Sequence, residues 1–176
     1  MHDKIAAILG EHRIAALATV RHDGWPQATN ISYVNDRLTI YCMVSRRSQK
    51  FVNLERDARA SLAIGGDYND VSDIHGLSMA AMAMEVRDAE PRERVLSLLF
   101  ERHPRLRVLG TPSFQDAALM RLTPRIVTIV DFSSATGHAD VVTVGADGLT
   151  EMQPARPADW GFVPCPERQP EVRWRS

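Results

Sequence analysis

Asp23 and Gly24 sit between two short apolar stretches, and that arrangement constrains the fold more than any other feature of the chain. An Asp-Gly pair accepts the positive φ that a tight reversal requires, so it predicts a β-hairpin. Residues 14–20 supply the first strand, an apolar run rich in Ala, Thr and Val, and residues 27–34 the returning one. A second polar reversal at Asn35-Asp36 leads into a third strand, residues 38–44. There Leu38, Ile40, Cys42 and Val44 share one face, and Thr39, Tyr41 and Met43 the other. Three strands joined by tight turns bury too little to stand alone, so the meander requires further strands or a covering helix.

The remaining sequence provides both. Residues 4–10 predict a short helix with Ile5, Ile8 and Leu9 on one side and Asp3 as its N-cap. Residues 45–57 predict a second helix that buries Phe51, Val52 and Leu54, capped by Ser45 or Ser48. A strand over 60–64, a polar loop over 67–73 and a long strand over 75–87 follow. Pro91 suits a first helical position, and the helix after it, to His103, is expected to bury Val95, Leu98 and Leu99. Residues 113–119 read as a short helix and 121–132 as another strand. About six strands with helices inserted between them indicate a mainly-β barrel with helical caps. Residues 1–146 form the expected domain; 147–176, with several prolines and no clear period, are expected to be a tail or arm.

The 176 residues suffice for one domain with a real core. A formal net charge of −1 gives no general attraction to nucleic acid or anionic membranes, so any charge-driven binding must come from a local cluster. No apolar run reaches the roughly 20 residues of a membrane span, and the opening Met1-His2-Asp3-Lys4 carries no targeting pattern. The cytoplasm is the expected location. Cys42 and Cys165 make neither a disulfide framework nor a metal-type pair, and Cys42 reads as a small core or site-lining residue.

One such cluster exists. Ser45-Arg46-Arg47-Ser48-Gln49-Lys50 follows a strand and opens a helix. A helix N-terminus is already partly positive, so three cations crowded there are unfavourable unless an anion sits among them. A phosphate fits the donors; a solvated basic turn capped by serine is the plainer alternative. The Gly-rich pattern of a triphosphate loop is absent.

With these residues the chain resembles the pyridoxamine 5′-phosphate oxidase-like, FMN-binding split-barrel family. The likeness rests on Ala16 to Val20 with Asp23-Gly24-Trp25-Pro26, on Tyr41 to Lys50 continuing to Asn53-Leu54, and on Ala81-Met82-Ala83 leading to Asp88. Leu122-Thr123-Pro124-Arg125, Asp131-Phe132 and Gly137-His138 extend it. The resemblance implies a split β-barrel homodimer with FMN at the subunit interface. It implies that Ser45, Ser48, Gln49 and Lys50 hold the flavin phosphate with help from Arg46 or Arg47. Thr29, Asn30, Ile31 and Ser32 would run along the isoalloxazine, and Met43 and Val44 would complete that wall.

Departures narrow what the resemblance implies. Gln49 stands where many members carry Arg, Ala81 replaces a usual Gly, and Gly76 replaces a glutamine of the authentic vitamin B6 oxidase. Val34 replaces that oxidase's substrate-binding lysine, so its substrate is not expected here. The expected function is an FMN-dependent oxidoreductase acting on a small molecule, with Tyr33, Trp25, His75 and His138 as substrate-side candidates. The alternatives are a flavin-binding storage or sensing protein without turnover, and a related barrel that binds deazaflavin or haem, the latter through one of its histidines.

Overall fold

A computed structural model describes residues 2–110, 113–133, 139–145 and 148–154, the last segment by its backbone. Helix α1 (His2–Glu11) precedes β1 (Ile14–Val20), β2 (Pro26–Asp36) and β3 (Thr39–Ser45). Then come α2 (Gln49–Arg56), β4 (Arg59–Gly65), β5 (His75–Glu85), α3 (Ala89–Arg102), β6 (Ala117–Asp131), β7 (Ala139–Gly145) and β8 (Gly148–Pro154). The strands pair in the order β3-β2-β1-β4-β5-β6-β7-β8, and β3 also pairs with β6. That second pairing closes β1 to β6 into the expected mainly-β split barrel. β7 and β8 continue from β6 as a hairpin. Residues 155–176, including Trp160, Cys165 and Trp174, lie outside the described residues, as do Gly137 and His138.

The first hairpin forms as its turn residues dictate. Gly24 takes φ 85°, the Arg21 N–H donates to the Trp25 carbonyl at 2.9 Å, and the Trp25 N–H donates to the Asp23 carboxylate at 3.2 Å. Strand alternation then sends Ala15, Leu17, Ile31, Ile40, Cys42, Leu62, Ile64, Leu77, Met79, Met120 and Leu122 into the barrel, where all are buried. α1 places Ile5, Ile8 and Leu9 against the same core. A second cluster lies outside the barrel, where Val95 and Leu99 of α3 cover Val34, Tyr41 and Leu119. Tyr41 is therefore buried, although it faces away from Cys42 and Val44.

α3 is locked to the rest through Arg102. Its guanidinium donates to the Leu9 carbonyl at 2.6 Å and the Gly10 carbonyl at 3.1 Å, and also to the His12 carbonyl. These are carbonyls at the C-terminal end of α1, where a cation is favoured by unpaired acceptors and the helix dipole.

Several expectations are corrected. Residues 113–119 are a turn followed by the start of β6, because Ala117, Ala118 and Leu119 pair with Ser45, Val44 and Met43. Val52 is 51% exposed while Asn53 is 1% exposed. Ser48, not Ser45, caps α2. α3 begins at Ala89, putting Pro91 third, and buries Leu96 fully while Leu98 packs half-buried against the same cluster. Pro124, which cannot donate to a ladder, sits where the β5–β6 register shifts next to Ala81.

Candidate cofactor site

The barrel is split on one side. β2 pairs with β1 from Pro26 to Ser32, but with β3 only from Tyr33 to Asp36. β3 turns away and pairs with β6 from Ile40 to Ser45. The Tyr33 N–H donates to the Arg13 carbonyl at 3.2 Å, on the β1 side. Antiparallel alternation therefore turns the backbone N–H and C=O groups of Ala28 and Asn30, and the N–H of Ser32, toward the seam, where the β3 ladder has ended. The seam is an open strand edge.

The side chains of this edge go two ways. Asn30 and Ser32 are exposed on the outer face. Ile31 is 6% exposed and belongs to the core, so only its backbone is available to a ligand. Thr29 faces inward, and its Oγ1 is buried without a hydrogen-bond partner among the described residues. Beside it lies a polar group that fastens α2. Asn53 Nδ2 donates to Thr19 Oγ1 at 2.9 Å and to Gln27 Oε1 at 3.2 Å, while Gln49 Nε2 donates to Asn53 Oδ1 at 2.9 Å. Asn53 is buried because these partners satisfy its amide.

The basic turn at the mouth of α2 is ordered by its serines. Ser48 Oγ donates to the Ser45 carbonyl at 2.6 Å and accepts from the Phe51 N–H at 3.4 Å. Ser45 Oγ accepts from the Arg47 N–H at 3.2 Å. The three cations have different fates. Arg46 pairs with Glu85, donates to the Phe114 carbonyl at 3.0 Å and lies over the Phe51 ring. Arg47 reaches Asp116 at 3.5 Å with its side chain 88% exposed. Half-buried Lys50 has neither an ion pair nor a hydrogen bond among the described residues. Burial pushes the Glu85 carboxyl up, but Arg46 and Arg87 outweigh it and hold the group below its ordinary range.

Met43 is half-buried against the cluster under α3, and Val44 is 6% exposed in the core. The predicted residues lie on the β2 edge, on β3 and at the α2 mouth; Ile31 and Val44 are turned into the core and Met43 toward α3. Gln49 is turned to Asn53. A group that combines a phosphate with a flat heterocycle fits what is left: an unpaired cation, a serine-lined helix start, an orphaned hydroxyl and a strand edge of alternating donors and acceptors.

Tyr33 and Trp25 lie in contrasting settings. Tyr33 is 0% exposed; its hydroxyl donates to the Leu9 carbonyl at 3.0 Å, and burial pushes its pKa up to about 12. The His103 Nε2 donates to the Tyr33 carbonyl at 2.9 Å. Trp25 is 70% exposed on the hairpin turn. Burial likewise pushes the Cys42 thiol up to about 12. Sequence reading missed the reason for Gly76. A Cβ there would lie 2.5 Å from the Ile64 carbonyl oxygen, so two strands meet too closely for any side chain.

A family model, pyridoxamine 5′-phosphate oxidase, matches residues 1–131. The chain belongs to that family. It is 27% identical over 99 residues to General stress protein 26 of Bacillus subtilis (strain 168), covering 56% of this chain and 69% of that protein. Its fold is similar to the haem storage protein HutZ from Vibrio cholerae, with TM-score 0.61 and 25% identity over 69% of this chain and 88% of the other. It is also similar to a haem-binding protein from Mycobacterium smegmatis, with TM-score 0.67 and 21% identity, covering 81% of this chain and 56% of that one. No helix among the described residues is long and apolar enough to cross a membrane.

Proposed function

We propose that this chain binds FMN along the β2 seam, as a homodimer with the flavin at the subunit interface, and acts as a flavin-dependent oxidoreductase on a small molecule. The observation that carries the reading is Lys50. Of the three cations at the α2 mouth, Arg46 and Arg47 already have carboxylate partners and Lys50 has none among the described residues. A flavin phosphate would neutralise it, with Ser45 and Ser48 supplying hydroxyls and Arg47 free to swing in. Backbone groups of Asn30 and Ser32 would meet the polar edge of the ring, and Thr29 Oγ1 would gain a partner. The bound flavin would supply the electron transfer; the protein would hold it and exclude water.

The outer sheet face supports the dimer. Ala16, Ala18, Asn30, Ser32, Ala63, Ser78 and Ala80 make it flat, and Met82 (37% exposed) and Ile126 (44% exposed) make it apolar. A second copy laid on it would cover these atoms and wall the seam. Val34 is 5% exposed beneath α3, so no cation stands there to hold a pyridoxamine phosphate substrate.

Titration of the purified full-length protein with FMN tests the reading. Lys50→Ala should weaken binding by about 1.5–3 kcal/mol, roughly 10- to 100-fold, the scale of a charged hydrogen bond. Unchanged affinity would put the phosphate elsewhere. Anaerobic reduction of the loaded protein by a nicotinamide separates an enzyme from a carrier. Haem binding is the second reading, favoured by the likeness to HutZ. A haem absorption band on the purified protein, with no flavin bands, would replace the first reading with the second.

A further inference from the structure

Away from the α2 mouth, the end of α1 and the start of β5 bring three metal-ligating side chains together. Glu11 closes α1, His12 follows it, and His75 opens β5. One ligand atom from each lies within 4.8 Å of the other two. His75 Nε2 is 3.1 Å from a Glu11 carboxylate oxygen. Two ligands about 2.1 Å from a tetrahedral ion are about 3.4 Å apart, so a small adjustment would seat one.

The hydrogen bonds around the cluster place its lone pairs. His75 Nδ1 lies 2.8 Å from the Asp73 carbonyl oxygen. A carbonyl only accepts, so Nδ1 carries the proton. Nε2 faces the carboxylate at hydrogen-bond distance, as an N–H donor when the ring is protonated and as a lone pair for an ion when it is neutral. A histidine whose second nitrogen donates to a backbone carbonyl is the usual form of a metal-bound imidazole. Tyr68 orders the other side: its hydroxyl donates to the His75 carbonyl at 2.6 Å and accepts from the Gly66 N–H at 3.1 Å. His12 Nε2 lies 3.5 Å from that oxygen, and the His12 and His75 ring centroids are 6.2 Å apart.

We propose that Glu11, His12 and His75 bind a divalent transition-metal ion, with water in the remaining position. Two imidazoles and one carboxylate suit Zn²⁺, Co²⁺ or Ni²⁺ and lack the oxygen ligands that Ca²⁺ and Mg²⁺ require. The side chains of Glu11 and His75 are 54% and 38% exposed, which leaves the ion open to solvent. The site joins two elements that the sequence places 64 residues apart, so an ion there ties α1 to β5. The proposal is independent of the flavin reading.

Full-length protein, stripped with a chelator and then freed of it, is titrated with Co²⁺ and with Zn²⁺. Co²⁺ should give visible absorption bands that saturate at a single site and are displaced by Zn²⁺, and Zn²⁺ should raise the melting temperature. Glu11→Gln, His12→Ala and His75→Gln should each weaken Co²⁺ binding about tenfold or more, while His22→Ala leaves it unchanged. Glu11 is exposed, so Glu11→Gln carries the test even if a histidine variant fails to fold. Two results overturn the proposal: no spectral response to Co²⁺, which would leave a His75–Glu11 ion pair only, or binding that survives Glu11→Gln at full strength.

Discussion

Arg46, on the turn that opens α2, pairs with Glu85 at the end of β5, so one cation of the basic mouth is neutralised from within the fold. Its guanidinium also donates to the Phe114 carbonyl, joining the α2 mouth to the approach to β6. The side chains are 30% and 12% exposed, which makes Glu85 the partner that can least afford to lose its ion.

Arg46→Ala should therefore lower stability by about 1–3 kcal/mol, because the mostly buried Glu85 then keeps only the exposed Arg87 as a partner. Urea unfolding measures it. The effect on FMN affinity should be smaller than that of Lys50→Ala; a reversed ranking would mean that Arg46 leaves Glu85 to bind the ligand.

Gly76→Ala should cost about 1–3 kcal/mol, because its Cβ would press on the Ile64 carbonyl oxygen at 2.5 Å and backbone has to shift. Gly65→Ala is the matched control. Its Cβ would sit 3.5 Å from the His75 carbonyl oxygen, an ordinary contact, so its melting temperature should stay near that of the wild type.

Acid should loosen the attachment of α1. Lys4 pairs with Asp131 of β6, and that hydrogen bond, then the one from Ser133, holds the Asp131 carboxyl at about 2 against an ordinary 3.8. A carboxylate with a lowered pKa stabilises the fold above its unfolded value, and that stabilisation is lost as pH falls from about 4 toward 2. Lys4 is 44% exposed, so solvent weakens the effect. In Asp131→Asn, the fall of stability across that window should be shallower than in the wild type, as followed by circular dichroism.

Cys42 should be inert in the native state, since it is 0% exposed and its thiol is pushed up to about 12. In a Cys165→Ser background, a disulfide-exchange reagent at pH 8 should label Cys42 only after denaturant is added. Rapid labelling without denaturant would mean that the barrel opens readily.

The strands were legible because alternation is a local signal: Leu38 to Val44 shows its two faces in the sequence, and Asp23-Gly24 marks the turn between β1 and β2. The start of α2 after β3 is equally legible, because the serine that caps it and the basic residues around it are contiguous in Ser45 to Lys50. What escaped depends on distant partners. Ala117, Ala118 and Leu119 are good helix formers, yet β3 claims them as a strand. The burial of Asn53 in place of Val52 has no local signal, because the Thr19 and Gln27 groups that satisfy it lie on other strands. The distinction between paired Arg46 and unpaired Lys50 also depends on Glu85, and no local pattern announces it. Glu11, His12 and His75 meet only because α1 packs over the end of β5.

The unpaired run of β2 bears on how this chain behaves when nothing occupies it. Ala28, Asn30 and Ser32 offer a row of donors and acceptors with no Pro or Lys among them, and such an edge invites the wrong strand. A bound molecule or second subunit there would act as a guard against misassembly as well as a functional component, and loss of either would first be seen as loss of solubility.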